Sequence, residues 1–340
     1  MKKNLSDPIA IGRKILPNRV FYAPLAGCSD FPFRKMSARY QPGLMFCEMV
    51  KMDAIIRNDY KTFRLLDFST DMHPIGGQIC GSKPQIAGQA ARIIEDLGFD
   101  TVDLNCGCPV DKVTKDGSGS GMLKNPKLIG DVVSAMAASV SIPVTIKIRA
   151  GWDEDSINCA EIAKIAYEAG AHAITVHGRT RQQGYRGPAN WDHIRAVREA
   201  APNMVVIGNG DVFSPRAALD MVERTGCDAI LVARGTMGAP WIAQDILQFE
   251  RGEEIPVRGV DDIRQALYRH FEYTLKHQSL RHAILDMRRV GCWYFKKAAG
   301  TKSFREQMSH ATDAGVIRKL ILEYPFEIAD DACEDGSCDE

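Results

Sequence analysis

The chain has 340 residues, 45% of them apolar and 25% charged, the composition of an ordinary soluble globular protein with room for one large domain and a smaller one. Its 43 Lys and Arg balance 43 Asp and Glu. Seven acids and no base fall in residues 326–340, however, so residues 1–325 carry +7 (43 − 36), the charge expected of a body that meets polyanions.

The basic start is followed by no apolar run, and no stretch is long and apolar enough to span a bilayer, so a cytoplasmic protein without a membrane segment is expected. The ten cysteines show no zinc-type spacing, which argues against a metal site and for free thiols, most of them in core packing.

Residues 9–16, with Gly12-Arg13 in the middle, predict a small hairpin. Eight short apolar or β-branched runs follow, at 20–24, 44–49, 75–80, 101–104, 144–148, 173–176, 204–208 and 229–232, most of them one βα unit apart. Helical periodicity fills the intervals, as in 85–97 after Pro84, 155–169 before Gly170 and 215–224 before Gly226, with Pro or Asp opening the segment and Gly closing it.

None of the runs is read as alternating strictly, which predicts a parallel sheet covered on both faces. The expected architecture is an α/β fold, a (β/α)8 TIM barrel over residues 1–250 with the hairpin capping its bottom; an open doubly wound sheet is the alternative. Residues 251–259 read as a linker, 260–325 as a small C-terminal helical domain, and 326–340 as an acidic disordered tail.

Polar residues collect where the runs end: Pro24-Leu25-Ala26-Gly27, Gln78, Asn105 and Cys108, Lys147 and Arg149, His177 and Arg179, Asn209-Gly210-Asp211, and Ala233-Arg234-Gly235. In a barrel all of them face one mouth, and the long interval after the fourth run lies on that functional face. The two Gly-containing turns after the seventh and eighth runs suit a phosphate, with Arg234 adding a charge-assisted contact. Lys147 interrupts an apolar run, where an ammonium needs a purpose: a Schiff base, a counter-charge to a reduced flavin, or a snorkelling surface position. Gly117-Ser118-Gly119-Ser120-Gly121 lacks the Lys of a phosphate-binding loop and reads as a mobile segment beside Cys108.

Taken in order, Pro24-Leu25-Ala26-Gly27, Gly77-Gln78-Ile79, Asn105-Cys106-Gly107-Cys108-Pro109, Lys147-Ile148-Arg149, His177-Gly178-Arg179-Thr180, Asn209-Gly210-Asp211 and Ala233-Arg234-Gly235 resemble the motifs of the tRNA-dihydrouridine synthase family. The stretch 287–305 is similar to its bacterial DusB-type branch. The resemblance implies an FMN-dependent oxidoreductase, driven by NADPH or NADH, that reduces the C5=C6 bond of particular uridines in tRNA. It implies FMN contacts from Pro24, Leu25, Ala26, Gln78, Lys147, His177, Asn209, Gly210, Asp211, Ala233, Arg234 and Gly235.

The same resemblance makes Cys108 the catalytic acid, since a thiol in its ordinary state is protonated at neutral pH. Cys106 is expected to point away and be structural. Asn105, Arg149 and Arg179 are expected at the substrate, and the helical domain, with twelve Lys and Arg against seven acids in 261–325, to bind tRNA through Arg288, Arg289, Lys296 and Lys297. Trp293, Tyr294 and Phe295 are read as core. A monomer is expected. The competing functions are another FMN barrel acting on a small molecule, of the dihydroorotate-oxidising kind, and a non-catalytic tRNA-binding protein.

Overall fold

A computed structural model describes residues 3–295 and 301–326. They fall into two compact units, one running to Thr236 and including Pro240–Ile255, the other combining Met237–Ala239 with the chain from Pro256 onward.

The first unit opens with an antiparallel hairpin, β1 (Ile9–Ile11) and β2 (Lys14–Leu16), turned at Gly12. Eight strands then run parallel: β3 (Val20–Tyr22), β4 (Leu44–Phe46), β6 (Ile75–Cys80), β7 (Thr101–Cys106), β8 (Val144–Arg149), β9 (Ala173–His177), β10 (Val205–Asn209) and β11 (Ala229–Val232), with the two-residue β5 (Val50–Lys51) beside β6. Because β3 pairs with both β11 and β4, and β4 with β6, the sheet closes into a (β/α)8 barrel.

The helices between strands are α1 (Phe31–Ala38), α2 (Met52–Ile56), α3 (Tyr60–Leu66), α4 (Pro84–Asp96), α5 (Asp111–Thr114), α6 (Pro126–Ala137), α7 (Cys159–Glu168), α8 (Asp192–Ala200) and α9 (Pro215–Thr225), and α10 (Ile242–Glu250) follows β11. Helix α9 shows how local chemistry sets the bounds: the Ser214 side chain accepts from Ala217 N, Pro215 opens the first turn, and Gly226 closes it at φ +68°. Helix α7 starts four residues later than its periodicity predicts, because Asp153 caps a separate 3-10 turn and Gly151 bridges to Ile157.

One expectation is corrected. Strands β7 (Thr-Val-Asp-Leu-Asn-Cys) and β8 (Val-Thr-Ile-Lys-Ile-Arg) do alternate: Val102, Leu104, Cys106, Val144, Ile146 and Ile148 pack into the layer shared with the helices, while Asp103, Asn105, Thr145 and Lys147 turn into the barrel. The barrel's lower interior is apolar. Ile9, Ile11 and Leu16 of the hairpin pack there with Phe21, Leu44, Phe46, Ala173, Ile207, Ala229 and Leu231 and close the N-terminal end. Burying a side chain such as Ile11 or Leu16 contributes about 1.5–3 kcal/mol each.

The second unit comprises α11 (Val260–His277), α12 (Leu280–Tyr294), α13 (Thr301–His310) and α14 (Ala314–Glu323). Its core includes Phe271, Met287, Phe304, Ile317 and Ile321. Tyr294 and Phe295 are buried as expected, the former 2.9 Å from His270 Nδ1, the latter stacked on Phe326 at 3.8 Å; Trp293 is half-buried. Among the described residues no helix is long and apolar enough to cross a membrane. The acidic tail beyond Phe326 lies outside the described residues.

Candidate functional site

Parallel strands in a closed barrel bring their C-terminal ends to one rim, and every polar residue singled out in the first unit lies in the C-terminal half of a strand or just beyond its end. Cys108, half-buried, follows β7. Its backbone is held on both sides: Asn105 Oδ1 accepts from Gly107 N (3.1 Å) and Cys108 N (2.9 Å), while Cys108 O accepts from Ser120 N (3.1 Å) and Ser120 Oγ (2.9 Å). Gly107 O accepts from Arg149 Nε at 3.0 Å. The segment 117–121, expected to be mobile, is therefore corrected: Gly119–Lys124 forms a 3-10 turn, with Ser118 and Ser120 buried, that clamps the Cys108 loop.

Cys106 faces outward with its sulfur 3.8 Å from Met122 Sδ, and burial pushes its thiol well above the ordinary range. Alternation alone would have put residues 106 and 108 on one face; the turn made by Asn105 at Gly107 separates them.

Inside the rim, Lys147 Nζ donates to Asn209 Oδ1 (3.0 Å), and Asn209 Nδ2 donates to Leu231 O (2.7 Å). Burial first, then the Arg149 charge, pushes the Lys147 amine down to about 8, with Asp103 and Cys108 acting the other way. His177, 7% exposed, sits at the end of β9. Burial and then the charges of Lys147, Arg149, Arg179 and Arg234 drive it well below its usual range, so its imidazole is neutral at pH 7.

The loops after β10 and β11 form a small-residue shelf. A Cβ on Gly235 would stand 2.3 Å from Val212 O, and Gly210 adopts φ +124°. Asp211 supports the shelf with its carboxylate: it takes both Nη groups of Arg179 at 2.7 Å, Arg234 Nη2 at 3.1 Å and Ala189 N at 2.7 Å. On the opposite side Pro24 and Leu25 are half-buried and Ala26 exposed, with Gly27 N donating to the buried Glu48 carboxylate.

The arginines differ from one another. Arg149 donates to Gly107 O, Thr180 O (2.8 Å) and Gly184 O (2.9 Å), and Arg179 to Asp211 and Gly187 O, so both buried guanidinium groups tie loops together. Arg234 is more open and lies 4.6 Å over the exposed Tyr185 ring and 5.2 Å over Phe213. In the second unit Arg288 Nε is bonded to Ala311 O (2.9 Å), whereas Arg289 is exposed, 3.5 Å from Asp286 and over the Trp293 ring. Lys296 and Lys297 lie outside the described residues.

Four residues of the site escaped the sequence reading: Asp103, Glu48, Ser120 and Tyr185. The first two carried a usable signal, being acids within or just after an apolar strand, as Lys147 is a base within one. Ser120 and Tyr185 sit in loops with no such pattern.

The dihydrouridine synthase family model matches residues 21–326. The chain is 36% identical over 307 residues to tRNA-dihydrouridine synthase B of Pseudomonas aeruginosa, covering 90% of this chain and 92% of that protein. It is 34% identical over 321 residues to the synthase B of Vibrio vulnificus, covering 93% and 98%. Among solved structures it is similar in fold to a histamine dehydrogenase from Rhizobium sp. 4-9 (TM-score 0.56, 15% identity, 79% of this chain) and to a 2-naphthoyl-CoA reductase (TM-score 0.55, 14% identity, 74% of this chain). The chain spans about half the length of each, 51% and 53%.

Proposed function

The chain belongs to the dihydrouridine synthase family of flavin-dependent oxidoreductases, and from that premise we propose that it is a DusB-type tRNA-dihydrouridine synthase using FMN and NADPH. The observation that carries the proposal is the clamped Cys108 thiol at the mouth of a barrel that also holds the half-buried Lys147 cation, each within electrostatic influence of the other.

The residues present suit FMN. Gly210 and Gly235 carry no Cβ to collide with Ala189 Cβ and Val212 O, so the backbone of both turns keeps its close course at the rim, and Arg234 stands at their edge to meet a phosphate. Lys147 offers a positive charge, Gln78 a buried amide and His177 a neutral imidazole to a ring edge, with Pro24, Leu25 and Ala26 across the opening. When bound and reduced by NADPH, FMN supplies the hydride that adds to uracil C6.

Hydride addition leaves the electron pair as an enolate over C5 and O4. Cys108 gives its proton to C5: the S–H bond breaks, a C5–H bond forms, and the thiolate is left within electrostatic reach of Lys147 and Arg149 until water reprotonates it from the mouth. Asn105 holds the loop that presents this thiol. Arg149 and Arg179 shape the rim through their carbonyl and carboxylate contacts. Affinity for tRNA comes from the basic second unit, where Arg289 is the most open of the arginines singled out.

Purified protein should be yellow and release FMN on denaturation. Cys108→Ala should retain the flavin and lose dihydrouridine formation on undermodified tRNA by about 10²–10⁴-fold, the usual weight of a general acid. Colourless protein would remove the flavin assignment; full activity of the variant would remove the acid assignment.

A further inference from the structure

Asp103 lies in the middle of β7, 2% exposed, and no part of the proposed chemistry touches it. Its Oδ2 accepts from Gln78 Nε2 at 2.7 Å and its Oδ1 from Thr145 Oγ1 at 2.6 Å. Gln78 Oε1 in turn accepts from Asn105 Nδ2 at 2.8 Å, and Asn105 Oδ1 accepts from the N–H groups of Gly107 and Cys108. The strand register explains the alignment, since Gln78, Asp103 and Thr145 are direct neighbours across β6, β7 and β8.

We infer that Asp103 is a positioning residue for Cys108, its carboxylate fixing the direction of an amide relay through Gln78 and Asn105 that ends on the backbone of the Cys108 loop. This rests on the placement of Cys108 at the reacting centre proposed above. An amide can turn over and exchange its donor and acceptor, so a chain of two amides has two directions. Here both ends demand the same one. A carboxylate only accepts, so Gln78 presents its NH2 to Asp103; the two backbone N–H groups only donate, so Asn105 presents its oxygen to them.

Burial pushes the Asp103 carboxyl up to about 6, with Thr145, Gln78 and the Lys147 charge pulling it back, so it is ionised at neutral pH and the acceptor end holds. Reversing Asn105 would set an NH2 against the loop's N–H groups, and reversing Gln78 would set its oxygen against the carboxylate and its NH2 against that of Asn105, each a mismatch in a buried place. The carboxylate thus acts two side chains away, with no contact to the thiol.

The test is amide hydrogen exchange of the 105–110 segment in the purified full-length protein, read by mass spectrometry. Asp103→Leu should lower protection of the Gly107 and Cys108 amides by on the order of tenfold, the weight of one hydrogen bond, with the outer strands unchanged. Asp103→Asn, which can still offer an oxygen to Gln78 and an NH2 to Thr145, should stay within about threefold of the parent protein. Gln78→Met should match Asp103→Leu, and adding Asp103→Leu to it should cost nothing further.

Additive losses in the double variant, equal losses in the Leu and Asn variants, or unchanged protection in Asp103→Leu would each overturn the relay. Should Asp103→Leu fail to fold, Gln78→Met alone with unchanged protection would do so. Exchange needs neither tRNA nor reductant, so the relay can fail while the dihydrouridine reading stands, and the reverse.

Discussion

Removing the Asp211 carboxylate should strip a buried cation of its partner. The Arg179 side chain is 4% exposed and bound to Asp211 through both Nη groups at 2.7 Å, and the same carboxylate also takes Arg234 and the Ala189 amide. Breaking one side of such a buried pair costs about 3–5 kcal/mol because the remaining charge is uncompensated. For a unit of this size each kcal/mol moves the melting temperature by about 2–4 °C, so Asp211→Ala should lower the Tm of the barrel by about 10 °C.

Differential scanning calorimetry gives the measurement, and two further variants locate the cause. Asp211→Asn keeps an oxygen acceptor and tolerates the φ of +56° at this position, so it should lose about half as much. Arg179→Met added to Asp211→Ala removes the stranded charge and should recover more than half of the loss. A single-variant shift below about 3 °C, or a double variant no more stable than Asp211→Ala, would refute the view that Asp211 matters as the counter-charge of Arg179.

Gly235→Ala would place a methyl 2.3 Å from Val212 O and 2.9 Å from Val232 Cγ1; flavin affinity, followed by fluorescence titration, should fall about tenfold or more from the forced backbone shift. Burial holds the Lys147 amine at about 8, so its charge is present below that pH and lost above it; flavin retention should weaken as pH rises through about 8, and Lys147→Met should be weak at every pH. Arg289→Ala should weaken tRNA binding and reduce its salt slope by about one, leaving the flavin spectrum unchanged; an unaltered slope in filter-binding measurements would place the RNA surface elsewhere.

The barrel was legible because its strands and helices carry local signals. Each of the eight runs became a strand, seven of them within two residues at either end and 44–49 shortened to Leu44–Phe46, and Pro215 with Gly226 bounded α9 as written. The rim residues followed from one rule, that polar groups at strand ends face the mouth. What the sequence could not show is which polar groups are engaged by one another. Arg149 and Arg179 look like ligand contacts in the linear order, yet partners 2 to 42 residues distant occupy their guanidinium groups. The glycine-rich 117–121 segment looked loose because its composition favours turns; Ser120 is fixed by a carbonyl twelve residues earlier. Cys106 and Cys108 diverge because of a side-chain-to-backbone turn at Asn105, a feature invisible to strand periodicity.

The hairpin plug at the N-terminal end has a kinetic consequence. With Ile9, Ile11 and Leu16 packed against Phe21, Phe46 and Leu231 at that end, solvent protons, nicotinamide and nucleotide would, under the proposed chemistry, all approach from the opposite rim. Under the proposed chemistry the proton that restores the Cys108 thiol would arrive on the side from which product departs, so the two would share one approach.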